Sequence, residues 1–207
     1  MNLQPIFASF LAQEVLPVDC DKILQYCIDL EKSRPSYHTN GWQSGPLEED
    51  IPELTDYINS KIPHFSELYG LSEKANPQIS DFWINRNSFG PQNAHNTEPH
   101  IHANHWISFV FYPEADENTA PLILANPHSA IEYTVPRDLI REVNNWNSHR
   151  MIVKPVTGLL VAFPSWIMHW IDQSPVPQDR YSIAFNVTLS HIPVSYTHLT
   201  LPTSDLV

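Results

Sequence analysis

The segment "TEPHIHANHW", from Thr97 to Trp106, carries three histidines within six residues, His100, His102 and His105, with Glu98 just upstream. On an extended strand, residues two apart leave the same face. His100 and His102 at that spacing suit two ligands of one metal ion. An isolated HxH is a weak signal, because histidines also gather in polar loops. The later segment "GLLVAFPSWIMHWIDQSPVPQDRYSIAFN" strengthens it. It places His169 after an apolar strand and the turn "FPSW", then Arg180 eleven positions on, then Ser182.

Together these residues form one connected requirement. Three protein ligands on one side of a metal ion leave open positions for exogenous groups. An arginine on the next strand binds the far carboxylate of a chelating 2-oxo acid through paired hydrogen bonds. Of the other histidines, His105 and His128 read as polar turn residues.

The elements that must hold this set are short. "PVDCDKILQYCIDLEKS" predicts a helix capped by Asp19, with Ile23, Leu24, Cys27 and Ile28 on one face. A second helix is expected from about Ile51 to Tyr69, with Pro52 in its first turn and Pro63 breaking or kinking it. From Gln78 the texture changes to runs rich in β-branched and aromatic residues: "ISDFWINRN", "HWISFVFYP", "APLILANP", "AIEYTVP", "HRMIVKP", "GLLVAFP" and "RYSIAFNVTL". One helical insert, "RDLIREVNNWN", interrupts them. The pattern predicts a mainly β fold with N-terminal helices, a sandwich or jelly roll with helices packed on one side. A single domain is expected over residues 1–193, helical in 1–77 and jelly roll in 78–193.

Composition narrows the function classes. A chain of 207 residues with 42% apolar content is long enough for one sizeable core. The formal charge of -12 disfavours nucleic acid as a partner, since phosphate binding needs a basic surface. No apolar run is long enough for a membrane span, and "MNLQPIFASF" lacks the basic start of a signal peptide. Cys20 and Cys27 lie two helical turns apart, too far for a disulfide, so free thiols and a cytoplasmic location are expected. The stretch "VSYTHLTLPT", from Val194, matches the translation of a sequencing-library adapter. Residues 194–207 are therefore expected to be a non-native tail, and His198 is left out of the site.

From Phe82 to Asn186 the chain resembles the 2-oxoglutarate/Fe(II) oxygenases related to prolyl 4-hydroxylases, in a branch found in bacteria and their phages. The resemblance rests on Trp83 and Asn85, Gly90, the HxH pair, Ser108 followed by "FVFY", then "FPSW", a histidine and "RYSIAFN", with "GWQS" (Gly41 to Ser44) upstream. It implies a jelly-roll core, the double-stranded β-helix. It also implies His100 and His169 as ligands of Fe(II), and Arg180 as the clamp on 2-oxoglutarate. Ser182 and Tyr112 would add hydrogen bonds to the cosubstrate, and Asn85, Asn186 and Trp166 would line the pocket. Most of the wider superfamily has a carboxylate where this chain has His102. Three readings follow for the third ligand: His102 itself, Glu98 swinging in, or water with His102 behind it. With O2 as co-reactant the implied reaction hydroxylates a C–H bond and releases succinate and CO2. The substrate is a small molecule or a peptide, and the oligomeric state is open.

Two rivals remain at this level. "GLLVAFPSWIMH" resembles the second cupin motif, but Trp166 replaces its glycine and Gln173 its asparagine, and a cupin has no use for Arg180. A non-enzymatic jelly-roll binding module predicts no tight metal binding at all.

Overall fold

The computed structural model describes residues 1–2, 7–37, 41–89, 97–128, 130–172, 174 and 176–191. Gly90, Gln173, Pro193, His198 and the tail at 194–207 lie outside the described residues.

The first helix, α1 (Cys20–Ser33), begins at Asp19, whose carboxylate accepts from the Lys22 amide at 3.0 Å. That bond satisfies one of the amides left without a helical acceptor. Its buried side chains, Ile23, Cys27 and Leu30, follow the helical repeat. The second, α2 (Pro52–Leu68), continues through Pro63, so of the expected break or kink the proline makes no break. Pro63 and Asn59, whose carbonyl loses its donor, are both exposed, so water can reach that carbonyl and the cost stays local.

Among the described residues nine strands form two antiparallel sheets. The larger orders β1 (Ala12–Val15), β7 (Leu159–Pro164), β4 (Ile107–Phe111), β9 (Gln178–His191), β3 (Ala75–Phe89) and β2 (Trp42–Gln43). The smaller orders β6 (Arg150–Val153), β5 (Leu122–Ala125) and β8 (His169–Ile171). Side chains alternate along the three central strands of the larger sheet, and the alternation divides its two faces by chemistry. Phe82, Ile84, Ile107, Phe109, Phe111, Ile183 and Phe185 join Ile58, Ile62 and Phe65 of α2 in one core. Trp83, Asn85 and Asn87, with Ser108 and Tyr112, and Arg180, Ser182 and Asn186, look the other way into a cavity. A second core, including Leu122, Leu124, Val161 and Phe163, is built from β5 of the smaller sheet and β7 of the larger.

Two expectations are corrected between β5 and β6. "AIEYTVP" forms not a strand but a single helical turn, α3 (Ile131–Thr134), with Pro136 soon after it. Tyr133 is exposed there and meets no sheet. "RDLIREVNNWN" forms only a 3-10 turn at Arg137–Leu139, followed by irregular turns. Asn144 accepts from the Trp146 amide at 2.9 Å, and Asn147 accepts from the Asn144 amide at 2.8 Å. Such local bonds compete with helix, and Leu139, Val143 and Trp146 are all exposed, so no apolar face is buried to reward one. Among the described residues no helix is long and apolar enough to cross a membrane.

Candidate metal centre

His169 sits on its own short strand, β8, and His100 pairs with it as an isolated antiparallel bridge. The two residues exchange both backbone bonds, His100 N to His169 O at 3.0 Å and the reverse at 2.9 Å. A pair of that kind brings the side chains side by side, and the imidazole centroids are 4.3 Å apart. The His102 amide donates to the Ser165 carbonyl at 3.0 Å, which ties the HxH segment to the "FPSW" turn. Asn104, with φ of 68°, then reverses the chain into β4; asparagine tolerates that left-handed conformation. The result is a cluster in which one ring nitrogen each from His100, His102 and His169 lies within 4.8 Å of the others.

Two of these rings have their proton placed by the backbone. His100 Nδ1 donates to the Glu98 carbonyl at 2.8 Å, and His169 Nδ1 donates to the Ile167 carbonyl at 2.9 Å. Each bond leaves the Nε2 lone pair free for a metal. Burial pushes His169 down to about 3, with the neighbouring His100 adding to the effect. Burial also lowers His102, to about 4, assisted by His100 and His105. Both rings are therefore neutral near pH 7, as metal ligation requires.

Arg180 lines the same 430 Å³ cavity. It is 2% exposed, its guanidinium lies 4.8 Å over the Tyr112 ring, and its Nη1 donates to Asn87 Oδ1 at 3.3 Å. Arg180 Nε and the Tyr112 hydroxyl meet no hydrogen-bond partner, and Arg180 has no ion pair among the described residues. Burial lowers the Arg180 pKa and raises that of Tyr112, while each group partly offsets the other's shift. An uncompensated buried charge costs several kcal/mol, so the site is organised for an anion. Imidazole donors and a buried guanidinium in one cavity fit an iron ion and a dicarboxylic 2-oxo acid.

The remaining sequence candidates divide. Ser182, Tyr112, Asn85 and Asn186 line the cavity. Trp166 does not: it is 47% exposed on the turn after β7, and Trp170 on β8 supplies the cavity wall instead. Glu98 borders the cavity, but the histidine cluster does not include its carboxylate; its contribution is the carbonyl that holds His100. His105 is bound to Asp81 at 3.0 Å, and His128 is exposed. Sequence reasoning gave no role to Trp42 and Gln43, although "GWQS" had stood out. β2 brings both to the cavity beside Asn85, and Gln43 Nε2 donates to Asn85 Oδ1 at 2.8 Å. Trp83 stacks on His102 with centroids 5.5 Å apart.

A fold and site of this kind define an oxygenase that works with iron and a 2-oxo acid. Residues 81–186 match the family model described as "Putative 2OG-Fe(II) oxygenase", half of the chain, and the protein belongs to that family. It is a 2-oxoglutarate- and Fe(II)-dependent oxygenase. No curated protein sequence matches the chain. Among solved structures it is similar to a prolyl-4-hydroxylase from Pseudomonas putida (TM-score 0.54, 15% identity, 85% of this chain and 86% of that one). A viral collagen prolyl hydroxylase from Paramecium Bursaria Chlorella virus-1, solved with 2-oxoglutarate, is similar with TM-score 0.53, 13% identity and 86% and 94% covered. So is SnoN, an epimerase of nogalamycin biosynthesis solved with Fe3+ and alpha ketoglutarate (0.56, 12%, 95% and 87%). At these identities the likeness speaks for the shared fold.

Proposed function

We propose that this protein hydroxylates a C–H bond of a small molecule or peptide, coupled to conversion of 2-oxoglutarate to succinate and CO2. The observation that carries the reading is the buried guanidinium of Arg180, without an ion pair among the described residues, in the same cavity as the histidine cluster. A cupin has no use for such a group, and a simple binding module would not bury an uncompensated charge.

In this reading the two facing sheets form a jelly-roll core, the domain spans residues 1–193, and the protein acts in the cytoplasm. Bound iron, with 2-oxoglutarate and O2, supplies the oxidising chemistry. The chain supplies binding, orientation and exclusion of water. His100 and His169 hold the metal through Nε2, and His102 Nε2 faces the same point. Arg180 takes the far carboxylate of 2-oxoglutarate, with Tyr112 and Ser182 as hydroxyl donors to it. Trp42, Trp83 and Trp170 wall the cavity, and Gln43 and Asn85 present amides toward substrate.

The test is an anaerobic titration of the purified protein with Fe(II) and then 2-oxoglutarate, followed by visible absorption. A charge-transfer band that weakens in Arg180→Ala is the expected result. Bound iron without a band would overturn the reading.

A further inference from the structure

The three histidines of the cluster are not equivalent, and the difference lies on the side of each ring that faces away from the cavity. Nδ1 of His100 and of His169 points at a backbone carbonyl, which only accepts. Nδ1 of His102 lies 3.1 Å from Asn186 Nδ2, an amide nitrogen, which only donates. Amide orientation has to be read from its surroundings, and here they are decisive. Asn186 Nδ2 also donates to Asp81 Oδ2 at 3.2 Å, while Asn186 Oδ1 accepts from Ser108 Oγ at 2.9 Å. Turning the amide over would bring its oxygen against a carboxylate oxygen. His105 Nε2 at 3.0 Å and Ser80 Oγ at 2.7 Å hold that carboxylate through its other oxygen.

His102 Nδ1 is therefore the acceptor, and in a neutral ring the proton sits on Nε2. That nitrogen lies 3.2 Å from His169 Nε2. The separation alone would suit either a shared cation or a hydrogen bond. The fixed polarity on both outer sides decides it: His169 Nε2 has the lone pair and His102 Nε2 has the proton. For His102 to bind a metal through Nε2, its proton must move to Nδ1 and meet the Asn186 N–H group head on.

We infer that His102 is a hydrogen-bond donor into the metal site and not a metal ligand, set in that role by Asp81 acting through the Asn186 amide. On the proposed oxygenase reading, His100 and His169 are then the two protein ligands, and His102 Nε2–H donates to a solvent ligand beside them. Asp81 and Asn186 are positioning residues. Neither belongs to the histidine cluster, yet together they would determine how many protein ligands a bound metal has.

Two measurements test this without enzymatic turnover. In the metal-free protein, long-range 1H–15N correlation of the imidazoles is expected to show Nδ1–H on His100 and His169 but Nε2–H on His102. An Nδ1–H pattern on His102 would overturn the inference. In calorimetric titration with Co(II), His102→Ala is expected to lose clearly less affinity than His100→Ala or His169→Ala, because it removes a hydrogen bond into the site and not a coordinating nitrogen. The exchange Asp81→Asn/Asn186→Asp keeps one amide and one carboxylate in that pair but offers Nδ1 a carboxylate acceptor; it is expected to recruit His102 as a ligand and raise affinity roughly 10-fold or more, the size of an outer-shell effect. That gain should vanish when His102→Ala is added to the exchange. Loss of affinity in His102→Ala as deep as in His100→Ala would sink the inference and leave the oxygenase reading intact. Absence of the 2-oxoglutarate band would sink that reading and leave the tautomer result standing.

Discussion

His100 and His169 face each other across a closed backbone bridge, so the histidine cluster is anchored by main-chain hydrogen bonds independent of either imidazole. Removing one ring should therefore leave the fold in place. His100→Ala and His169→Ala are each expected to keep the wild-type circular dichroism spectrum while lowering Fe(II) affinity by at least ~10–100-fold, the loss expected on disturbing a metal's partners. Equal affinity in either variant would remove that residue from the metal centre.

Arg180 offers a prediction in which stability and binding move in opposite directions. Among the described residues its buried charge has no carboxylate partner, so Arg180→Met exchanges an ion for apolar volume. Replacing buried ionic groups by apolar ones of similar size is often neutral or stabilising by ~1–4 kcal/mol. The ligand-free variant is expected to melt at or above the wild-type temperature. Wild type should gain further stability with added 2-oxoglutarate, because a ligand bound only to the native state raises its melting point, and Arg180→Met should gain none. A variant that still responds to 2-oxoglutarate would place the carboxylate elsewhere.

Much of this site was legible because strands impose a period of two. "RYSIAFN" alone predicts that Arg180, Ser182 and Asn186 share a face, and β9 carries them so. The HxH and "FPSW" segments were likewise readable, since each chemical group sits beside the turn that delivers it. What escaped were pairings across the sequence. That Asp81 meets Asn186 follows from the β3–β9 register after the irregularity between Ile79 and Asp81, which no local pattern announces. Trp166 and Trp170 both lie within three residues of His169 in sequence. Only the turn at 165–167, followed by the return into β8, decides that the second faces the cavity. "RDLIREVNNWN" misled because Leu139, Val143 and Trp146 are exposed, so spacing there carried no information about a core.

Gly41 marks where the upstream motif meets the core. Its φ is +77°, and a Cβ added there would lie 2.7 Å from the Arg86 carbonyl oxygen. Left-handed backbone costs an L-residue roughly 1–2 kcal/mol, and the contact with a backbone oxygen of β3 adds to it. Gly41→Ala should therefore lose at least that much stability in urea unfolding. The strain falls next to Trp42 and Gln43, which line the cavity, so substrate-dependent succinate release should fall more steeply than 2-oxoglutarate binding. Unchanged stability would mean that β2 can move away from β3 at no cost.

The thiols give a test of the helical layer that does not involve the metal. Cys27 is fully buried under α1, and burial pushes its thiol up to about 12; Cys20 is partly exposed and raised as well, first by burial and then by Asp21 and Asp19. In the native protein at pH 8 only Cys20 should react with an aromatic disulfide reagent, more slowly than a free thiol, and Cys27 should appear only on denaturation. The pH dependence follows from the raised folded value. Unfolded chains ionise the thiol near ~8.5, so the contribution of Cys27 to stability is whole below that pH and declines as pH rises toward the folded value. Urea midpoints measured at pH 8 and pH 10 should thus fall more for wild type than for Cys27→Ala, a comparison that cancels the tyrosines titrating over the same range. Equal slopes, or rapid labelling of both thiols, would show that α1 opens readily from the sheet.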